Sequence, residues 1–432
     1  MQSESADSEK KQEKKVVIIG GGFGGINAAK KLGKNPGIRV VMIDRRNHHL
    51  FQPLLYQVAM AALSPAEIAY PIRSLLRKYD KTDVLLAEVT EIDLQEKQVK
   101  TKSKSIAYDY LILACGSNHS YFGHDDWEEY APGLKTLAQA TEIRRRVLLA
   151  FEKAANEANV ENQRQFLTFV IVGGGPTGVE LAGSIAEMSR KTFLRDFKNL
   201  DVSRTRVILL EGSERILNSY PKKLSYKAAI DLEKLGVQVW TNAMVTKVVD
   251  KGVYVGDEFI KTSTVLWAAG VEPSELNRKL GVPLDRSGRI MVTSGCNLKD
   301  HPEVFAIGDQ ACFLDQHGKP LPGLAPVAIQ QGKYVAHTIK RMEKGQELVP
   351  FRYVDKGQMA TIGRNKAVMK AFGLEVSGFV AWLAWLFVHI FYLIGFRNRV
   401  FVLMQWAWAY LTFKKGARLI VDKEWRNHLK SG

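Results

Sequence analysis

A chain of 432 residues with 46% hydrophobic and 25% charged side chains has room for two or three domains with full cores, and its composition excludes a disordered or collagen-like polymer. The net charge of +16 is uneven: residues 356–432 carry twelve Lys and Arg against three acids, which suits an anionic membrane surface, and no nucleic-acid module accompanies the basicity, so no nucleic-acid partner is expected. Cys115, Cys296 and Cys312 form no close pair, which argues against a disulfide framework, a zinc site or a dithiol redox centre and suits a reducing compartment.

In chain order, residues 1–14 are polar and of mixed charge; they read as a disordered tail with no secretory signal. Residues 16–19, VVII, read as a buried parallel strand. Gly20, Gly22 and Gly25 follow at GxGxxG spacing, and an Ala-rich, helix-prone stretch runs on to Leu32. The first glycine permits a tight turn, the second lets the backbone approach a pyrophosphate, and the third lets helix and strand pack closely. Gly24 belongs to the same candidate loop. The pyrophosphate would rest on the N–H groups of the helix N-terminus. A strand over 39–43 ends in Asp44, where a ribose-binding acid belongs.

Residues 47–60, NHHLFQPLLYQVAM, read either as lining for a ring-shaped cofactor or as an ordinary buried loop and helix. Residues 61–78 look helical, and 84–99 read as strands with a polar turn. Residues 108–116, YDYLILACG, form a strand ending in small residues, Ala114 and Gly116 among them, where the chain turns under a cofactor or crosses to another domain. A long helix is expected over 133–156 and a polar linker over 158–165.

The fingerprint then repeats. An apolar strand over 169–172 leads into Gly173, Gly175 and Gly178 at the same spacing, then a helix from Thr177 with Glu180 in its first turn. Glu180 is either a reacting group or an acid favoured by the helix dipole. The strand over 207–210 ends in Glu211. Its carboxylate accepts from both ribose hydroxyls and repels a 2′-phosphate, which favours NADH over NADPH. Arg215 either softens that choice or is a solvated charge. Residues 237–255 read as strands, and 264–270, TVLWAAG, repeat the strand-to-small-residue pattern with Ala269 and Gly270. Two such units call for two dinucleotides, most simply a flavin in the first and a nicotinamide cofactor in the second.

Residues 304–309, VFAIGD, end a short strand in Gly308 and Asp309, and an Asp there can meet ribityl hydroxyls. A helix over 324–341 contains Gln330 and Gln331, amides that either hold a carbonyl ligand at a flavin edge or simply face solvent. Residues 379–396 are apolar with one ionisable member, His389, and reach the lower length limit of a spanning helix. Arg397 and Arg399 interrupt, and a shorter apolar run over 400–413 ends at Lys414, Lys415 and Arg418. Trp382, Trp385, Tyr392, Trp406, Trp408 and Tyr410 suit a membrane interface. A soluble core, a single span or hairpin, and two helices lying in one leaflet stay open; the last is favoured because the second run is too short to cross.

With these residues assembled, the chain resembles the type II NADH dehydrogenases, single-subunit, non-proton-pumping NADH:quinone oxidoreductases, over nearly its whole length. The carriers are IIGGGFGG, HLFQPLLYQVA, YDYLILACGS, IVGGGPTGVELAG, VLWAAGV, VFAIGDQA, APVAIQQG and the aromatic C-terminal segment. The resemblance implies an α/β flavoprotein with two Rossmann-like dinucleotide-binding domains, one inserted in the other, plus a C-terminal membrane-anchoring helical segment. It places a non-covalent FAD domain at 15–157 and 285–355, an NADH domain at 166–284 and the membrane segment at 356–432. It also implies homodimers on the cytoplasmic face of the cell membrane, with ubiquinone or menaquinone as acceptor.

Carried over by motif, Gly20, Gly22, Gly25 and Asp44 would hold the adenosine end of FAD, Pro53 and Leu54 would lie near the isoalloxazine, and Asp309 would bind the ribityl chain. Gly173, Gly175, Gly178 and Glu211 would bind NADH. Glu180 matches a glutamate placed near the flavin, at the nicotinamide and quinone sites. The family's quinone motif is usually Ala-Gln-x-Ala-x-Gln; here Ala325-Pro326-Val327-Ala328-Ile329-Gln330 keeps the second glutamine only, so Gln330 and Gln331 are the quinone candidates. Cys115 stands where the family often has threonine and reads as a small buried residue. The rivals are a disulfide reductase and a sulfide:quinone reductase, which need cysteines that HHLFQPLLYQVA lacks, and a membrane-bound NADH sensor without turnover.

Overall fold

The computed structural model describes residues 13–412 and 416–421. The chain divides into two compact units. The first comprises the residues up to His49, Tyr70–Asn118 and Glu272–Val354. Its centre is a five-stranded parallel sheet in the order Val304–Ala306, Tyr110–Leu113, Lys14–Ile19, Ile38–Asp44, Thr82–Leu86. Val16, Val17 and Ile18 are fully buried, as a strand covered on both faces requires. The helix Phe23–Leu32 packs along Ala325–Met342. A Cβ on Gly332 would stand 2.2 Å from the Gly24 carbonyl oxygen, so these two helices touch backbone to backbone.

The second unit comprises Leu50–Ala69, His119–Val271 and the chain from Asp355 onward. A four-stranded parallel sheet runs Val237–Trp240, Arg206–Leu210, Thr168–Val172, Thr264–Trp267. The helix Pro176–Glu187 leaves the second fingerprint and continues as a π-helical turn, Met188–Phe193. An antiparallel sheet of Gln358–Gly363, Lys366–Ala371 and Leu374–Gly378 lies against that helix. Gly183 sets the spacing: a Cβ there would stand 1.8 Å from the Ile362 carbonyl oxygen.

The structure departs from the sequence expectations at several points. The strand of the first fingerprint begins at Lys14, inside the expected tail; residues 1–12 lie outside the described residues. The single helix expected over 61–78 is two short ones, Pro65–Ile68 and Ile72–Leu76, because Pro65 and Pro71 favour starting turns over continuing them. The linker expected over 158–165 is a helix, Val160–Phe166, capped by the Asn159 side chain. The helix expected from 133 starts at Leu137 under a Thr136 cap. Residues 358–378, read as part of the membrane segment, form the antiparallel sheet.

The apolar run over 379–396 is broken. The helix Phe379–Tyr392 ends before Gly395, whose φ is +90°, and a second helix, Phe396–Thr412, takes in Arg397 and Arg399. No helix of the described residues is long and apolar enough to cross a membrane. On the first helix Ala381, Trp385 and His389, four residues apart, are buried, while Val380, Leu383, Phe387 and Phe391 are exposed. On the second, Phe401, Leu403, Met404, Trp408 and Leu411 are exposed. Lys414, Lys415 and the basic residues after 422 lie outside the described residues.

Gly183→Ala should destabilise the second unit by about 1–3 kcal/mol, the range for forcing atoms into a packed contact, read from denaturant midpoints. Gly183 is mid-helix, where alanine otherwise stabilises, so a raised midpoint would refute the close approach.

Candidate functional site

In the first unit the Gly20–Gly25 loop is closed by backbone contact. Gly20 has φ of +104°, and a Cβ on it would lie 2.2 Å from the Ala114 carbonyl oxygen; a Cβ on Gly25 would lie 1.9 Å from the Gly20 carbonyl oxygen. A Cβ on Gly22, by contrast, would meet nothing within 4 Å. The helix that starts here has no side-chain cap, so its first N–H groups face an open cradle. Asp44 Oδ2 accepts from the Gly21 N–H at 2.6 Å and Oδ1 from the Arg46 N–H at 2.7 Å. The carboxylate is thereby fixed at the loop with lone pairs remaining for hydroxyl donors.

The second unit repeats this atom for atom. Gly173 has φ of +106°, and a Cβ on it would lie 2.7 Å from the Ala268 and Ala269 backbone; a Cβ on Gly178 would lie 1.9 Å from the Gly173 carbonyl oxygen, and one on Gly175 would meet nothing within 4 Å. Glu211 Oε2 accepts from the Gly174 N–H at 2.7 Å, and Oε1 accepts from Ser213 N–H and Oγ at 2.9 and 2.5 Å. Each unit therefore fits a dinucleotide, with an open helix N-terminus for the pyrophosphate and a pinned carboxylate for a ribose. Arg215 donates to the carbonyls of Asn218 and Tyr220, so its guanidinium is committed to its own loop. Ala269 and Gly270 turn the chain at the end of the neighbouring strand, Gly270 with φ of +69°.

Around the first cradle, Asp309 Oδ2 accepts from Ser117 Oγ at 2.9 Å, and Gly116 leaves open space beside its Cα. The Gly308 N–H donates to Gln331 Oε1 at 2.7 Å. Gln330 is tied at both ends to Val354, accepting from its N–H at 3.0 Å and donating to its carbonyl at 2.9 Å. These two amides thus hold backbone. Cys115 is enclosed, and burial pushes its thiol up to about 12, so it is not a thiolate nucleophile.

In the second unit Pro53 and Leu54 form a 3-10 turn, with Leu54 fully buried. Glu180, one turn before Gly183, is drawn toward the Gln358–Gly363 strand and accepts from the Thr361 backbone N–H. The residue as a whole is half-buried, but its carboxyl end lies inward. Loss of water there raises its pKa well above the ordinary 4.5, and the Thr361 bond offsets only part of that. The protonated form of Glu180 is therefore favoured relative to that of a solvated glutamate.

Residues 14–332 match the pyridine nucleotide-disulphide oxidoreductase family. The chain is 44% identical over 421 residues to the type II NADH:quinone oxidoreductase Ndh of Mycobacterium tuberculosis, a match covering 94% of this chain and 90% of that protein. The chain belongs to the type II NADH:quinone oxidoreductases. It is also 31% identical over 405 residues to an internal alternative NAD(P)H-ubiquinone oxidoreductase A1 of Arabidopsis thaliana, covering 85% of this chain and 78% of that one. Its fold matches NDH2 of Plasmodium falciparum, solved in complex with NADH, with a TM-score of 0.87 at 20% identity over 95% of this chain and all of that one. The expected α/β class with two Rossmann-like domains holds.

Membership in the type II family draws attention to residues that sequence reasoning passed over. Gln310, fully buried, accepts from the Cys115 N–H at 2.8 Å and donates to Asn277 Oδ1 at 2.7 Å, clamping the turn after the Tyr110–Leu113 strand. Its place inside VFAIGDQA was the available signal; Asn277 had none. His49, buried, donates from Nδ1 to the Gly21 carbonyl at 2.9 Å and meets Phe23 edge-on, while its Nε2 has no partner among the described residues.

Burial lowers the His49 pKa to about 4. Such a histidine binds its proton more readily when unfolded, so the stability it supports is present above pH 6.5 and lost as pH falls toward 4. His119 and His389 are lowered to about 4 in the same way. Replacing His49 with Ala should reduce the loss of melting temperature between pH 6.5 and 4. An unchanged acid limb would show that His49 is protonated in the folded state.

Proposed function

We propose that this chain is a non-electrogenic NADH:quinone oxidoreductase that holds FAD on the Gly20–Gly25 cradle and NADH on the Gly173–Gly178 cradle. The observation that carries the reading is the pair of matching cradles, each with its own pinned acid, in a chain that also places a desolvated carboxyl of raised pKa at Glu180. The reading assigns the first unit to FAD and the second to NADH, and adds a homodimer on the cytoplasmic face of the cell membrane. The exposed apolar faces of Phe379–Tyr392 and Phe396–Thr412 support a peripheral attachment to lipid, in a chain of strongly basic balance.

When bound, FAD supplies the two-electron chemistry that joins hydride donation by NADH to reduction of a quinone. The rest is done by the chain. In the first unit Gly20, Gly22, Gly24, Gly25 and Asp44 seat the adenosine and pyrophosphate; Ala114, Gly116, Gly308 and Asp309 form the turn for the ribityl chain. In the second unit Gly173, Gly175, Gly178 and Glu211 seat NADH beside the Ala269–Gly270 turn, and Pro53 and Leu54 offer the apolar turn toward the ring system. The overall reaction takes NADH, one proton and quinone to NAD+ and quinol. The hydride brings two electrons and one of the quinol's protons. The second proton comes from solvent, and Glu180, whose pKa burial raises, is the group we assign to deliver it. Gln330 and Gln331 hold the Val354 and Gly308 backbones in this reading. The enclosed thiol of Cys115 speaks against the disulfide-reductase alternative.

Anaerobic mixing of detergent-purified holoprotein with NADH should bleach the flavin absorbance, and a short-chain quinone should then restore it rapidly. Bleaching without recovery would remove the quinone reading and favour a sensor. Glu180→Gln should slow the recovery far more than the bleaching. The same variant should be more stable than the parent above pH 4.5: the folded state holds this proton more tightly than the unfolded chain, so the native glutamate loses stability as pH rises from 4.5. Equal slowing of both half-reactions would take the proton role away from Glu180.

A further inference from the structure

In the second unit, three side chains form a hydrogen-bonded line from the C-terminal helix into the interior. Trp406 Nε1 donates to Gln57 Oε1 at 2.7 Å, and Gln57 Nε2 donates to the Tyr56 hydroxyl at 3.0 Å. Both Gln57 and Tyr56 are buried, on the short helix Leu55–Ala59 that packs against Pro176–Glu187, the helix bearing Glu180. The direction of this line is fixed by chemistry. An indole N–H can only donate, so the end of the Gln57 amide facing Trp406 must be the oxygen. The other end is then the NH2 group, which can only donate. The Tyr56 hydroxyl is therefore an acceptor toward Gln57, and its own proton must point elsewhere.

The surroundings make that proton available. Tyr56 is buried, and that loss of water pushes the pKa of its phenol well above the ordinary range, so the hydroxyl keeps its proton. Trp385, buried beside it with ring centroids 6.4 Å apart, has an indole N–H with no partner among the described residues. Trp385 stacks on His389 at 4.1 Å, and the His389 Nδ1 is bonded to the Trp385 carbonyl at 2.7 Å, which holds the imidazole ring in place. The second C-terminal helix is seated on the same region by two more bonds, Gln405 to Glu67 and Asn398 to the Ala66 carbonyl.

We propose, on the basis of the quinone-reductase reading above, that Gln57 is a positioning residue: held by Trp406, it forces the Tyr56 hydroxyl to present its proton as a hydrogen-bond donor to the quinone oxygen on which negative charge develops. Tyr56 donates a hydrogen bond and keeps its proton; the proton transferred remains that of Glu180. The arrangement makes a helix with an exposed apolar face responsible for the hydrogen-bond direction of a group two side chains away.

The test uses three holoprotein variants. Gln57→Glu puts a carboxyl between the indole and the phenol; in its ionised form, checked by its own carboxylate infrared band, it accepts from both and turns Tyr56 from acceptor into donor at that contact. Trp406→Phe keeps an aromatic ring but frees the amide to rotate. Tyr56→Phe removes the hydroxyl and identifies its infrared band. After bleaching with NADH, recovery with a short-chain quinone should slow about tenfold in Gln57→Glu, the scale of one neutral hydrogen bond, and up to about a hundredfold in Tyr56→Phe, the scale for one donor to a developing oxyanion. Bleaching by NADH should be unchanged in the Gln57 and Trp406 variants. The phenolic C–O stretching band assigned to Tyr56 should move toward that of a donating phenol in Gln57→Glu and split in Trp406→Phe, a readout independent of turnover. Native recovery rates in both variants, or slowed recovery with an unmoved band, overturn the proposal. If Gln57→Glu is recovered without flavin, Trp406→Phe decides by the same two readouts. If the parent protein bleaches but never recovers with quinone, the quinone reading fails, while the band shift alone still reports whether Gln57 directs the Tyr56 proton.

Discussion

A helix can approach another backbone to within carbonyl contact only where a side chain is missing, and both units depend on that constraint. Gly25 against Gly20 and Gly178 against Gly173 bring a helix N-terminus onto the end of its strand. Gly332 against Gly24 brings a second helix onto the first. Gly183 against Ile362 brings the Glu180 helix onto an antiparallel strand. In the first two cases close approach opens a cradle of N–H groups; in the last it removes water from a carboxyl. One packing device thus produces both the open helix N-termini and the desolvated acid.

The nucleotide cradles were legible because everything they need is local. A glycine loop, its helix and an acid at the end of the next strand can be read from the sequence, since the strand order of a parallel βαβ unit follows from its handedness. The Gln358–Gly363 strand was not legible. It meets the Glu180 helix nearly two hundred residues away in sequence, and nothing in QMATIG says which helix it will desolvate. For the same reason Glu180 stood as an acid at a helix start until its surroundings were known. The pairing of Gln57 with Trp406 and the place of Asn277 were not legible either: an amide or an indole in an apolar stretch is ambiguous until its partner is placed. The misread helix over 61–78 had a different cause, two prolines that are good first residues and poor interior ones.

The buried groups divide by what they do to stability. His49, His119 and His389 stay neutral near pH 7 without cost, since neutral imidazole is also the main form in the unfolded chain. Glu180 is the reverse case, because the unfolded chain would ionise it. A fold that keeps such a carboxyl sacrifices stability at neutral pH for a proton held in place. Tyr56 lies between the two, protonated in either state, so its constraint is one of direction.

Asp44 and Glu211, proposed above to meet the two riboses, are also structural members. Asp44 holds the Gly21 N–H and Glu211 holds the Gly174 N–H, each on the residue that follows the first glycine of its turn. A change of charge at either position therefore removes a brace of the loop together with a contact to sugar. Nucleotide preference and loop geometry are in this way inherited together. A lineage drifting toward a phosphorylated nucleotide would have to find another anchor for the glycine turn before it could give up the acid, which narrows the evolutionary routes open to this enzyme far more than the chemistry of one carboxylate would suggest.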